Sequence, residues 1–308
     1  MPAKIYYRRR LLLSILEISE NFSMDRIAMQ KILFKISQFQ IKHQIKPSFS
    51  FVPYKQGCFS FQAAKDLNVM RDFYGLLSED DGKTWVMKRP ASNSTNKYFD
   101  DLLDIDKTAV QKAFTEMDLS DPNKLIHDVY DSDPYFAINS EREGLPPSIR
   151  KKISIARNKV QANNTECLFS IGYEGRCIDK YLNLLIENNI SLLCDVRKNP
   201  VSMKYGFSKK QLADKCGKLK IGYLHIPALG IDSSDRANLS DAASYEKLFA
   251  GYSISLNNKE DALDSVLDEL HNHKRIALTC FEADHKFCHR SSITSFLSNN
   301  NSINIHHL

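Results

Sequence analysis

Long apolar runs are the first thing this chain lacks. Nothing in its 308 residues approaches the roughly 20 consecutive apolar positions that a helix needs to cross a bilayer. The nearest stretch, Leu11-Leu12-Leu13 with Ile15 and Leu16 behind Arg8-Arg9-Arg10, is short. It is interrupted by Glu17 and Glu20, and no small-residue cleavage site follows, so an export leader is not expected. Glycine (11) and proline (10) are too scarce for a low-complexity or collagen-like chain. The 7 cysteines contain no C-x-x-C pair, which argues against a zinc knuckle. An odd number of cysteines without a leader points to reduced thiols and a cytoplasmic protein. A membrane protein, a fibre and a secreted disulfide domain are set aside on these grounds.

What is present fits ordinary globular cores: 43% hydrophobic and 26% charged residues, on a length that suggests about two domains. The net charge of +5 is unevenly placed. Residues 1–90 carry 15 Lys+Arg against 8 Asp+Glu, residues 91–165 carry 10 against 12, and residues 166–308 carry 17 against 17. The positive excess therefore lies at the N-terminal end, where a polyanion would be attracted; a solvated basic face is the plainer alternative.

Residues 1–89 read as helix, helix, extended piece, helix, hairpin. Asp25 is placed to cap a helix running to about Gln40, with Ala28, Ile32, Ile36 and Phe39 on its apolar face. Phe51–Gly57 is extended, Phe61 to Leu77 recurs at helical spacing, and Asp81-Gly82 before Thr84-Trp85-Val86-Met87 is a hairpin signal. Helices followed by a small hairpin describe a winged helix-turn-helix, mostly α. Residues 90–99 are the best linker candidate, within a helical linker region spanning 90–165. From residue 166 to 308, short β-prone runs alternate with helical ones. This predicts an α/β sandwich around a mostly parallel five-stranded sheet.

In such a sheet, ligands bind beyond the carboxyl ends of the strands. Tyr173, Glu174 and Arg176 follow the first predicted strand. Asp195, Arg197, Asn199 and Ser202 follow the second, and His225 the third. Glu282, Asp284, His285, Cys288, His289 and Arg290 follow the fourth. Ordinary turns require only Gly, Asn and Ser, so acids, arginines and imidazoles at every exit nominate one rim as the site. Arg176, Arg197 and Arg290 suggest an anion, with Arg176 and Arg290 at helix starts where backbone N–H groups favour phosphate. Internal ion pairing, for example with Asp195, is the alternative. Glu282 is a candidate general acid/base, or else it orients Arg290. Tyr173 either stacks on a base or packs in the core. Cys288 beside His289 invites a nucleophile reading, but adjacent residues on a turn rarely face each other and no orienting acid is evident. Cys280, His285, Cys288 and His289 match no common metal-ligand spacing, so neither a metal nor a cofactor is expected.

Two resemblances add to these readings. Asp25–Phe34 together with Phe51–Ser60 resembles the winged-helix module of YwgA-like and Panacea (SocA-like antitoxin) proteins over about residues 5–89, with Gln56 and Cys58 departing from its pattern. That resemblance implies a module that binds nucleic acid or protein. Ile171–Arg176, Asp195–Ser202, Cys280-Phe281-Glu282 and Cys288-His289-Arg290, with Tyr223–Gly230 between them, resemble the family called domain of unknown function 488 over about residues 166–308. That resemblance implies a compact α/β domain with a polar pocket and no established reaction.

The sequence thus leads to an enzyme directed at a nucleotide or nucleic acid. In this reading Glu282 acts at a sugar or base, helped by Asp195 and Tyr173, and cleavage of a sugar–base bond is the reaction it suggests. Glu174, Arg176, Arg197, Asn199, Ser202, His225, Cys288, His289 and Arg290 would hold the substrate. Residues 1–89 would engage nucleic acid or a protein partner, with no membrane association. The rivals are a non-enzymatic DNA-binding regulator that senses a small anion and an antitoxin-like, defence-associated interaction protein.

Overall fold

Two sets of elements, each with its own core, make up the chain in a computed structural model that describes residues 5–88, 97–232, 235 and 242–308. The division falls between Arg157 and Asn158. Residues 90–96 of the expected linker lie outside the described residues.

The first unit begins with α1 (Tyr7–Ile18), β1 (Ser23–Asp25) and α2 (Arg26–Lys42), then the hairpin strands β2 (Val52–Tyr54) and β3 (Gly57–Phe59). It continues through α3 (Phe61–Asp72), β4 (Leu77–Asp80) and β5 (Thr84–Met87) to α4 (Lys97–Asp100), α5 (Asp104–Glu116), α6 (Pro122–Ser132) and α7 (Pro147–Gln161). The run resembling a leader is core: Leu11, Leu12, Leu13, Ile15 and Leu16 are fully buried in α1. The arginines ahead of it are tied down, Arg8 at 2.5 Å and Arg9 at 2.7 Å from the buried carboxylate of Asp66. Asp25 caps α2 by accepting from the amides of Ile27 and Ala28, which satisfies two of the helix's unpaired N–H groups. Strand β1 pairs antiparallel with β5, and β5 with β4, giving a sheet in the order β1-β5-β4. Strand β1 was not evident from the sequence, because three residues are too few to show an alternation.

The second unit is a five-stranded sheet built from β6 (Cys167–Gly172), β7 (Leu192–Asp195), β8 (Gly222–His225), β9 (Arg275–Cys280) and β10 (Ile305–His307). Every pairing is parallel and the order is β10-β6-β9-β7-β8. Between the strands run α8 (Ile178–Glu187), α9 (Lys209–Lys218), α10 (Ala242–Ser255), α11 (Glu260–His273) and α12 (Arg290–Asn300). Alternate strand residues Leu168, Leu192, Cys194, Ile276 and Leu278 pack with Leu263, Val266 and Leu270 of α11 and Ile293 and Leu297 of α12. The pleat turns Phe169, Ile171, Leu193 and Thr279 to the opposite face. There the Tyr181 hydroxyl of α8 donates to Thr279 Oγ1 at 2.7 Å. With helices on both faces, the strand ends are where a ligand can reach the sheet itself. The chain runs outward from β6 to β7 and β8, returns to place β9 beside β6, and leaves in the other direction to β10. The order therefore reverses at β6/β9, the place where open α/β sheets keep their crevice.

Candidate functional site at the carboxyl edge of the sheet

Register brings the exits together. Gly172 pairs with Cys280, and Asp195 pairs with both Thr279 and His225, so the last residues of β6, β9, β7 and β8 share one edge. The loops after β6 and β9 are fastened to each other. The amides of Tyr173 and Glu174 both donate to Phe281 O (3.1 and 2.9 Å), and Glu174 accepts the Ala283 amide at 3.0 Å. Gly172 is required at this point: a Cβ there would lie 1.7 Å from the carbonyl oxygen of Glu282.

At the exit of β7, Asp195 and Arg197 close on each other. Asp195 is fully buried and accepts from Arg197 through Nε at 2.8 Å and Nη2 at 2.5 Å, from the Arg197 amide, and from the Tyr223 hydroxyl at 2.6 Å. Arg197 Nη1 goes on to Tyr173 Oη at 3.1 Å and to Phe207 O at 2.8 Å. Burial by itself would lower the arginine's pKa, but the bonds and charge of Asp195 reverse this and hold it raised. The same carboxylate, after burial, keeps the Tyr223 hydroxyl protonated far up the scale. Tyr173 is stacked on Phe207 with ring centroids 4.4 Å apart and meets Phe281 edge-on. His225 stands behind Arg197, donating through Nε2 to its carbonyl at 2.9 Å, with Lys209 Nζ 3.0 Å from Nδ1.

The exit of β9 is equally dense. Arg290 is fully buried at the start of α12, with Nη2 donating to Glu282 O at 2.6 Å and Nε to Cys288 Sγ at 3.2 Å. His289, also fully buried, donates from Nε2 to Val196 O at 3.2 Å. Its Nδ1 lies 3.8 Å from Cys288 Sγ and 3.9 Å from Cys280 Sγ. Burial should raise the Cys288 thiol; hydrogen bonding with Cys280 and His289, together with the charges of Arg290 and His289, outweighs it and holds the pKa well below the usual value. His285 is elsewhere, stacked on His307 at 3.7 Å. Arg176 is half-buried, bonds Gly172 O at 2.6 Å, and is lowered by burial with a further push from Arg290.

Beside these groups lies a cleft of about 390 Å³, walled by Tyr173, Arg197, Asn199, Ser202, Cys280 and Phe281 and rimmed by Lys198, Val201 and Met203. Over this region one comparison with known proteins is positive. Residues 177–297 match the family described as Domain of unknown function DUF488. The DUF488 stretch includes Asp195–Ser202, His225 and Cys280–Arg290 but starts after Tyr173, Glu174 and Arg176, so it is narrower than the expected 166–308. No curated protein and no solved structure matches the chain, and no match supports the resemblance of residues 5–89 to YwgA-like or Panacea modules.

Of the residues expected from sequence, Tyr173, Arg197, Asn199 and Ser202 share the cleft wall. Asp195, His225, His289 and Arg290 stand behind it, bonded to the protein's own groups. Glu174 and Glu282 belong to the two fastened loops. Sequence reasoning gave no individual role to Lys198, Tyr223 and Phe207. Tyr223 falls at an alternate position of a strand already recognised, and that was its signal. Among the described residues, the one group of three or more metal-ligating side chains with closely placed donor atoms is Cys280, Cys288 and His289. Spacing did not reveal it because its members come from a strand end and a helix start joined by a loop.

Proposed function

We propose that the second unit is an enzyme acting on a nucleotide or nucleic-acid group bound in this cleft, with the first unit engaging nucleic acid or a partner protein. The observation that carries the reading is the cleft itself. It lies at the carboxyl edge of a parallel sheet, beside the point where strand order reverses, with an aromatic ring, a guanidinium and the Asn199–Ser202 loop in its wall. Lys198, Asn199 and Ser202 face a phosphate in this reading, and the accessible side of Arg197 adds charge while Asp195 keeps it in place. Arg176 extends the positive field. Glu282 is the carboxylate assigned to the reacting sugar or base, and cleavage of a sugar–base bond is the reaction to test first. For the first unit, the support is its order of helix, strand, helix, short hairpin, helix and hairpin, with β1, β5 and β4 in one sheet, an order that a winged helix with an added hairpin would have. No described helix is long and apolar enough to cross a membrane.

The test is a panel of nucleotides and short oligonucleotides, followed by calorimetry for binding and by chromatography for released base. Lys198→Ala and Ser202→Ala should weaken binding by about tenfold or more, the scale of a charge-assisted hydrogen bond. Glu282→Gln should abolish turnover and leave binding in place. Full turnover by Glu282→Gln removes the assigned role. Absence of both binding and turnover across the panel overturns the reading. Binding without turnover would favour a regulator that senses an anionic ligand.

A further inference from the structure

Cys280 ends β9, and Cys288 and His289 lie immediately before α12. Their Sγ, Sγ and Nδ1 atoms lie within 4.8 Å of one another, and all three residues are buried. The separations of Nδ1 from the two sulfurs, 3.9 and 3.8 Å, can be set against a known geometry. In a tetrahedral zinc centre with Zn–S about 2.3 Å and Zn–N about 2.0 Å, each N···S edge is about 3.5 Å. A contraction of a few tenths of an ångström would bring both N···S edges to that geometry, and the two sulfurs, within 4.8 Å of each other, would close toward an S···S edge of about 3.8 Å.

Orientation supports the same conclusion. His289 donates from Nε2 to Val196 O, so in the neutral ring, the form that ligates, the lone pair is on Nδ1, the nitrogen facing both sulfurs. A backbone carbonyl fixing the non-ligating nitrogen is the usual outer partner of a metal-bound histidine. Arg290 Nε, 3.2 Å from Cys288 Sγ, supplies an N–H to a sulfur that must be anionic to ligate. Two sulfurs and one imidazole suit zinc and exclude magnesium and calcium, which take oxygen ligands.

We propose that Cys280, Cys288 and His289 form a zinc site with three protein ligands and a fourth position that opens toward the cleft. Cys280 is itself part of the cleft wall, which gives water or a ligand atom its approach to the ion. Three protein ligands and one open position are the pattern of catalytic zinc, whereas structural zinc is closed by four. Both sulfurs ligate as thiolates, so any thiol proton still held leaves to solvent on binding, and two thiolates balance the charge of the ion. The inference goes beyond the proposed function and does not depend on the identity of the substrate. Zinc here would offer a Lewis acid to whatever the cleft holds.

The experiment uses the full chain, reduced, loaded with zinc, desalted and analysed for metal by mass spectrometry. Cobalt(II) titration of the metal-free protein is the second readout. About one zinc per chain is expected, falling below about a tenth in Cys280→Ser, Cys288→Ser and His289→Ala and unchanged in Cys177→Ser, a thiol outside the trio. Cobalt should give a thiolate-to-metal charge-transfer band that saturates at one equivalent. If circular dichroism shows that the variants do not fold, the cobalt band of the unmodified chain decides alone, since its appearance requires sulfur ligation. Zinc below about a tenth per chain in the loaded protein overturns the proposal, as does full stoichiometry in any folded trio variant or a cobalt spectrum without that band. A Cys280–Cys288 pair that oxidises to a disulfide and takes up no metal after reduction also overturns it. Loss of metal without loss of nucleotide binding, or the reverse, separates this proposal from the previous one.

Discussion

Asp195 and Arg197 are two residues apart, and their distance in space is set by the turn that ends β7. The guanidinium folds back on the carboxylate through two parallel bonds, and the buried acid takes two more from an amide and from Tyr223. A buried pair of this kind contributes little beyond what a packed apolar pair would. Removing one partner is costly, because the other charge is left without compensation. Asp195→Asn should therefore lower the stability of the second unit by about 3–5 kcal/mol. Tyr223→Phe, which removes one hydroxyl bond from the same acceptor, should cost about 1 kcal/mol. Urea unfolding followed by circular dichroism measures both. Equal costs for the two substitutions would mean that the carboxylate is not what holds Arg197. The same accounting bears on function: an arginine with four bonds to its own protein is positioned by them, and its remaining surface is what a ligand can meet.

At the scale of elements, the site depends on how closely loops approach strand ends. Gly172 ends β6 under the Glu282 carbonyl, and Gly230 lies where a Cβ would stand 2.2 Å from the Lys198 amide nitrogen and 2.5 Å from its Cα. Both obstacles are backbone, so an added methyl group must move a loop. Gly172→Ala and Gly230→Ala should each cost about 1–3 kcal/mol, the range for overpacking, and shift the loops that carry Glu282 and Lys198. Gly217→Ala in α9, with nothing within 4 Å, should be neutral or stabilise by up to about 1 kcal/mol. Unfolding midpoints of the three variants check the contrast, and a silent Gly172→Ala would contradict the close approach. These elements also show what the sequence could reveal. The alternation of β-prone and helical runs from Cys167 onward made the sheet legible, and polar residues at each strand exit made the rim legible, because both are local patterns. The fate of each arginine was not legible: whether Arg197 meets a ligand or Asp195 depends on a side-chain path. The leucines of α1 mimicked a leader because a buried helix and a leader share one composition. The Cys280–Cys288–His289 cluster crosses a loop that leaves no spacing signature.

At the scale of the whole chain, the uneven charge and the two separate cores describe two units of different character. The first holds the positive excess, though several of its cations are spent on internal partners such as Asp66 and Glu79. The second is close to balanced in charge and contains the DUF488 match, the cleft and the cysteine–histidine cluster. Helix α7 spans the division, yet its anchors belong to the first unit. Ile149 and Ile153 pack with Ile126 and Tyr130, and Arg157 donates to Ile138 O at 2.9 and 2.7 Å. The residues just after α7 serve the second unit, since Arg275 Nη1 donates to Asn163 Oδ1 and to Thr165 O, both at 3.0 Å. A fragment beginning at residue 162 therefore keeps every bond described for the sheet, the cleft and the cluster. It should express as a soluble protein and unfold in urea as one transition, with a slope of roughly 1–3 kcal/mol/M. Its near-ultraviolet circular dichroism should show ordered aromatic side chains, as the stacking of Tyr173 on Phe207 requires. A fragment that aggregates, or that melts gradually without a baseline, would show that the second unit's core does not suffice without residues 1–161.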